Sequence, residues 1–278
     1  MPAPHDALGR QVIAFIGGGN MASAIMGGLL RQGLPATQFE VVEPFAPARQ
    51  KLKDELGVDA QEAGGPALAR AGLVVWAVKP QTFKDAAAAV RDHAQGALHL
   101  SVAAGIRTDS ISKWLGTQRI VRSMPNTPAL VGKGMTALFA RPGVSPEDKA
   151  LVDQVIATTG ESLWVEREQQ LDAVTALSGS GPAYVFFFLE AMTQAGVEMG
   201  LSREQAYRLS VGTFAGAAAL AGASSDPPEV LRQRVTSKGG TTYAAITSME
   251  ADQLQAMFIK AMHAANVRAG ELGDEFGR

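Results

Sequence analysis

The sequence predicts an α/β N-terminal domain built on a parallel sheet, followed by an all-α C-terminal domain. Three observations predict it. An apolar run at 12–16 stops in Gly17-Gly18-Gly19 and resumes as a helix; further apolar runs alternate with helical patterns up to Val165; beyond that residue strand patterns cease and helical periodicity takes over.

The run 12–16 is rich in β-branched and apolar residues and reads as a strand buried on both faces. Gly17 lets that strand turn sharply, Gly19 lets the backbone approach a pyrophosphate, and Ala22 is small enough for helix and strand to pack. Ile16, Gly17, Gly18, Gly19, Asn20, Met21 and Ala22 are therefore expected to hold a dinucleotide phosphate at a helix N-terminus, the Rossmann-type arrangement. A second strand at 39–43 ends in Glu43, about twenty residues past the turn. Glu43 reads either as a ribose ligand, favouring NADH over NADPH, or as a solvated strand end, and Arg49 nearby leaves the choice of cofactor open.

The helical pattern 46–56 leads to a near-continuous apolar strand at 72–78, bounded by Lys79-Pro80. A helix at 82–94 and a strand at 99–102 follow, and the strand-helix-strand order implies parallel pairing. Runs at 119–123, 135–140 and 162–165 extend this half, and Ser145-Pro146 is the N-cap and first position of a helix running to about Thr159. Helices are then expected at 182–199, at 202–223 behind a capping box at Ser202, at 228–235, and from Thr242 onward. The charged segment 166–172 marks the boundary, giving domains 1–168 and 169–278.

Ligands of open parallel sheets sit at the carboxyl ends of the strands. Those ends here are 17–22, 77–81, 102–105 and 123–128, so Ala77, Val78, Lys79, Pro80 and Ala103 join the candidate cofactor residues. Lys79 reads as a phosphate contact or as a side chain snorkelling at a strand end. Asn126 could aim its amide at a nicotinamide or a substrate, or simply form a turn. In the helical half, 178–182 (SGSGP) is either a carboxylate cradle or a cap. By contrast 236–242 places two glycines, two threonines and a lysine in one turn, more than capping requires, which points to a substrate site at Ser237, Lys238, Gly239, Gly240, Thr241 and Thr242.

Composition narrows the function. A formal net charge of −2 on 278 residues gives no basic excess for nucleic acid. The absence of cysteine excludes disulfides, thiolate metal sites and a cysteine nucleophile. His5, His93, His99 and His263 lack ligand spacing, so no metal is expected. Residues 1–10 have no apolar core for a signal peptide, and the Ala- and Gly-rich stretch 209–225 is too weakly hydrophobic to span a membrane. A cytoplasmic protein is the expectation, with 209–225 as a helix packed closely on others.

The motifs IGGGNMA, WAVKPQ, SVAAGI, VRSMPNTPALVGKGM, LSGSGPAYVF and VTSKGGTT together resemble the pyrroline-5-carboxylate reductase family over almost the whole chain. Lys238 departs from the pattern, since many relatives carry proline before the paired glycines. The resemblance implies reduction of L-1-pyrroline-5-carboxylate to L-proline with NADPH or NADH. It also implies a C-terminal dimerisation domain that interlocks with a partner subunit, an active site at that interface, and homodimers assembled further, commonly into decamers. It sets the substrate carboxylate on N–H groups near Gly239, Gly240 and Thr241, and the Thr242 hydroxyl beside the substrate nitrogen. The chemistry suits these residues, because a cyclic imine is basic enough to need no strong protein acid. A hydroxyacid dehydrogenase on a similar plan would need a catalytic lysine on the helix after the glycine-rich turn, and residues 184–189 carry none. A nucleotide-binding regulator without turnover is the rival from another class, and the Thr241-Thr242 pair speaks against it.

Overall fold

The structure, a computed structural model, describes Leu8 and residues 11–277. The expectation for the N-terminal stretch, His5 included, falls outside them. By compactness the chain forms two units, one of residues up to Ser180 together with residues from Ala265 on, the other Gly181–Ala264.

In the first unit β1 (Val12–Ile16), β2 (Phe39–Val42), β3 (Ala60–Gln61), β4 (Ala71–Trp76), β5 (Leu98–Ser101), β6 (Ile120–Met124), β7 (Gly134–Ala140) and β8 (Gly160–Trp164) form one sheet in the order β3-β2-β1-β4-β5-β6-β7-β8. Pairing is parallel from β3 to β6. Register aligns Ile16 with Val42 and Trp76, and Trp76 with Ser101, so the carboxyl ends of the central strands share one edge. The period of two explains the apolar runs. Ile13 and Phe15 pack on one face with Ile25 and Leu29, while Ala14 and Ile16 pack on the other with Trp76 and Phe83. Helices α1 (Asn20–Arg31), α2 (Ala46–Leu56), α3 (Pro80–Val90), α4 (Thr108–Leu115) and α5 (Pro146–Ile156) make the crossovers and cover the faces.

Four features differ from expectation. β7 runs antiparallel to β6, because a short connection returns the chain at residues 125–133 without a crossover helix. α4 was not expected, although Ile111, Trp114 and Leu115 stand at helical spacing and pack on the core; the helix has only eight residues and its other positions are polar. The helix from Thr241 onward breaks into α10 (Thr241–Ala251) and α11 (Leu254–Phe276) at Gln253, which has φ +54°. The expected division at 168/169 differs from the compact one. Glu168, the last residue of the expected first domain, is anchored in the first unit, where its carboxylate accepts from the Thr108 N–H (2.7 Å), the Thr108 hydroxyl (2.6 Å) and the buried Arg122 guanidinium (3.0 Å). α6 (Gln170–Val174) buries Leu171 there, and Arg107 donates to the Gly270 carbonyl (3.4 Å) and Asp274 (3.2 Å) near the end of α11.

The second unit holds α7 (Gly181–Glu198), α8 (Arg203–Ala223), α9 (Pro228–Arg234), α10 and the start of α11. The capping box at Ser202 is present, with Gln205 as its partner. Within this unit Gly196 packs against Ala206 and Ser210 is buried, while Gly212, Gly216 and Gly222 carry no neighbour within 4 Å of the place a Cβ would take. Among the described residues, no helix is long and apolar enough to cross a membrane.

One buried titratable group has a measurable consequence. His99 sits inside the first unit, where its Nδ1 accepts from Trp76 Nε1 (3.0 Å), and burial holds its pKa down to about 4. The folded protein keeps it neutral while the unfolded chain protonates near 6.5, so its contribution is complete above that pH and is lost as pH falls from there toward 4. Denaturant titrations at pH 7.5 and pH 5 should show His99→Gln losing roughly 2 kcal/mol less stability over that interval than the parent. Equal losses would contradict this reading.

Candidate active site

The turn between β1 and α1 has little freedom. Ala77 N–H donates to the Ile16 carbonyl (2.8 Å) and Gly17 N–H to the Val42 carbonyl (2.8 Å), so β1 stays flanked on both sides to its last residue. Gly17 then turns at φ +96°, and a Cβ there would lie 2.5 Å from the Ala77 carbonyl oxygen. Only glycine fits both the backbone angle and the space. Gly19 is the N-cap of α1 in extended conformation, without a side-chain cap and with no atom within 4 Å of the place a Cβ would take. The first N–H groups of Asn20, Met21 and Ala22 thus have no partner within the helix, and no acidic side chain lies in that turn. Such an end attracts an anion.

Beside it a cleft of about 820 Å³ opens along the strand ends. Ile16, Gly17, Gly19, Glu43, Ala77, Val78 and Lys79 line it, and Gly18 lies against Glu43 at its edge. Glu43 is braced: one carboxylate oxygen accepts from Gly18 N–H and the other from Phe45 N–H, both at 2.8 Å. Each oxygen keeps a lone pair for a ribose hydroxyl. Arg49 donates to the carbonyls of Glu43 (2.8 Å) and Pro44 (2.7 Å) and lies 3.6 Å from Glu62, so its charge is already partnered. Lys79 caps α3 with Pro80 in the first helical turn, and its ammonium stem is exposed. Ala103 is buried past the end of β5, its N–H on the Ser101 hydroxyl (3.3 Å), and does not line the cleft. Phe45, Thr82, Asp85 and Ala86 also line it and were not singled out from sequence. The last three had a signal, since they recur at helical spacing on one side of α3.

Asn126 lies past β6, and both ends of its amide are engaged. Oδ1 accepts from Met135 N–H (2.9 Å), while Nδ2 donates to the carbonyl and the hydroxyl of Ser178, each at 3.2 Å. Ser178 does not belong to a loop, as its glycine-rich surroundings suggest, but to a π-helical turn at Thr175–Gly179.

In the second unit the hydroxyl-rich bend closes on itself. Gly240 N–H donates to the Ser237 carbonyl (3.0 Å), and Gly239 stands at φ +77°, as the third residue of a type II turn must. Lys238 occupies the second position, where proline presets the backbone in other such turns. Gly240 is the N-cap of α10 without a side-chain cap, Thr241 and Thr242 form its first turn with no acidic neighbour, and both threonines are exposed. This end has the same unpartnered N–H groups as α1, here accompanied by hydroxyls.

Comparison with known proteins matches residues 168–272 to the model of pyrroline-5-carboxylate reductase dimerisation and residues 12–105 to that of NADP oxidoreductase, coenzyme F420-dependent. A curated pyrroline-5-carboxylate reductase from Pseudomonas aeruginosa is 45% identical over 268 residues, covering 96% of this chain and 98% of its own. The solved pyrroline-5-carboxylate reductase of Coxiella burnetii superposes with a TM-score of 0.88 at 39% identity, over 95% of this chain and 98% of that one. The Plasmodium falciparum pyrroline carboxylate reductase, solved with NADP bound, gives 0.85 at 27% identity, over 96% and 99%. A Rossmann-type domain followed by a helical dimerisation domain is therefore the architecture of this chain. The chain belongs to the pyrroline-5-carboxylate reductase family.

Proposed function

We propose that this protein reduces L-1-pyrroline-5-carboxylate to L-proline with NADPH or NADH, the last step of proline biosynthesis. The observation that carries the reading is the identity of 45% with a curated reductase across 96% of the chain. The two uncapped helix starts at Gly19 and Gly240 supply what the chemistry requires of a protein.

When bound, the dihydronicotinamide supplies the hydride. In this reading the first turn of α1 holds the pyrophosphate, Glu43 accepts from the adenosine ribose, and Lys79 neutralises phosphate charge. The bend Ser237-Lys238-Gly239-Gly240-Thr241 receives the substrate carboxylate on its N–H groups. The Thr242 hydroxyl fixes the ring nitrogen, orienting an imine that is basic enough to arrive protonated. Residues 1–168 serve as the dinucleotide half and 169–278 as the substrate and dimerisation half. The helical unit exposes Phe186, Phe187, Leu209 and Leu220 by more than half, a surface suited to a second subunit. A homodimer, assembled further into a larger oligomer such as a decamer and working in the cytoplasm, completes the proposal.

Loss of dinucleotide absorbance on adding pyrroline-5-carboxylate, with proline as product, tests the activity; dinucleotide binding without turnover would contradict it. Thr242→Val should lower kcat at least about tenfold, the scale of one lost hydrogen bond to a reacting group, and leave dinucleotide affinity nearly unchanged. Unaltered turnover would remove Thr242 from the reaction. Glu43→Ser should weaken binding of both cofactors, because the brace on Gly18 and Phe45 is lost, while shifting the kcat/KM ratio toward NADPH. An unchanged ratio would dismiss the ribose contact.

A further inference from the structure

We propose that Asn126 is a positioning residue, which sets the backbone of Ser178-Gly179-Ser180 and does not itself bind substrate. The inference deepens the reductase reading and rests on it for what that backbone serves. Three segments meet at this side chain: the loop after β6, the first residues of β7 and the π turn.

The amide joins them with the full set of its polar atoms. Its oxygen accepts from Met135 N–H (2.9 Å), and its nitrogen donates to the carbonyl and the hydroxyl of Ser178 (3.2 Å each). Asparagine alone among the small side chains offers an acceptor and a donor in one plane at this reach. The π turn needs such support, because a helix widened by one residue packs less well and persists where something outside it fixes the extra residue. Its own bond, Ser180 N–H to the Thr175 carbonyl, is 2.8 Å, and the Thr175 hydroxyl donates to the Leu171 carbonyl (2.7 Å). Gly179 lies against the end of the Met124 side chain, whose methyl would have to move for a Cβ at Gly179. The turn is thus held from the β6 side by one apolar contact at Met124 and two hydrogen bonds from Asn126.

The held segment is the glycine- and hydroxyl-rich stretch 178–180, which in this reading offers the substrate polar groups in addition to the carboxylate contacts assigned to 237–241. Widening the helix there turns its serines and N–H groups away from regular helical directions, and Asn126 fixes where they turn. Asparagine 126 is one step removed from the substrate on this account.

The test uses full-length protein and two readouts. Hydrogen exchange at the Ser180 amide, measured without ligands, reads the π turn directly. Steady-state kinetics with pyrroline-5-carboxylate and NADPH read its use. Asn126→Asp keeps the acceptor for Met135 but sets an oxygen against the Ser178 carbonyl, Asn126→Ala removes all three bonds, and Ser178→Ala removes one acceptor from the other side. Protection of Ser180 should fall at least tenfold in both Asn126 variants and less in Ser178→Ala. The KM for the imine should rise at least tenfold in Asn126→Asp, with the Kd for NADPH unchanged within twofold. Unchanged Ser180 protection in the Asn126 variants overturns the proposal, and so does a raised imine KM with protection intact, the signature of direct contact. Absence of turnover in the parent protein would strike the reductase reading alone, since the exchange comparison stands without it.

Discussion

The close passage of Gly17 over the Ala77 carbonyl is the constraint from which the cofactor side of this molecule follows. β1 and β4 run side by side to their last residues, and the ladder continues one step past them through Ala77 N–H on the Ile16 carbonyl. With strands this close, the chain can leave the sheet only through a residue without a side chain and with positive φ. A Cβ at Gly17 would force the two strand ends apart or push α1 off its axis. Because neither happens, α1 starts three residues on, with its N-cap Gly19 lining the cleft. Glu43 then depends on the same turn, since Gly18 N–H is one of its two braces.

The helical unit obeys a different rule. Large apolar side chains stay exposed across it, and its Ala- and Gly-rich helix α8 presents open space at Gly212 and Gly216. A helix that carries apolar and small residues on several sides cannot bury them within one layer. Residues 168–272 match a dimerisation domain, the kind of domain whose exposed apolar surface is suited to pairing. The bend at Ser237–Gly240 keeps its geometry from its own turn and from Gly239, with Lys238 at the second position.

Much of this was legible in the sequence, and the reasons are physical. Strands buried on two faces read as unbroken apolar runs, so β1 and β4 declared themselves. Helix starts with hydroxyl caps, such as Ser145 and Ser202, carry local signals that survive in any context. Direction was not legible: the side-chain pattern of a strand is the same parallel or antiparallel, and β7 turned back without the sequence saying so. Residues acting through distant partners were equally silent. Glu168 looked like part of a charged boundary, yet it collects Thr108 and Arg122 from well upstream, and Asn126 looked like a turn former or a ligand. The compact division differs from the sequence boundary for the same reason, since Arg107 holds the end of α11 to the first unit across the length of the chain.

In this reading the anion site at the start of α1 carries the cofactor, and Gly19 isolates it. Its φ of −72° suits any residue, and nothing lies where a side chain would go, so Gly19→Val should leave the fold intact while filling the approach to the helix N-terminus. The decisive measurement is the Kd for NADPH and NADH of this variant beside its thermal midpoint. An affinity at least tenfold weaker with an unchanged midpoint is the predicted result. Undiminished affinity in the folded variant would contradict the placement of the pyrophosphate on this turn.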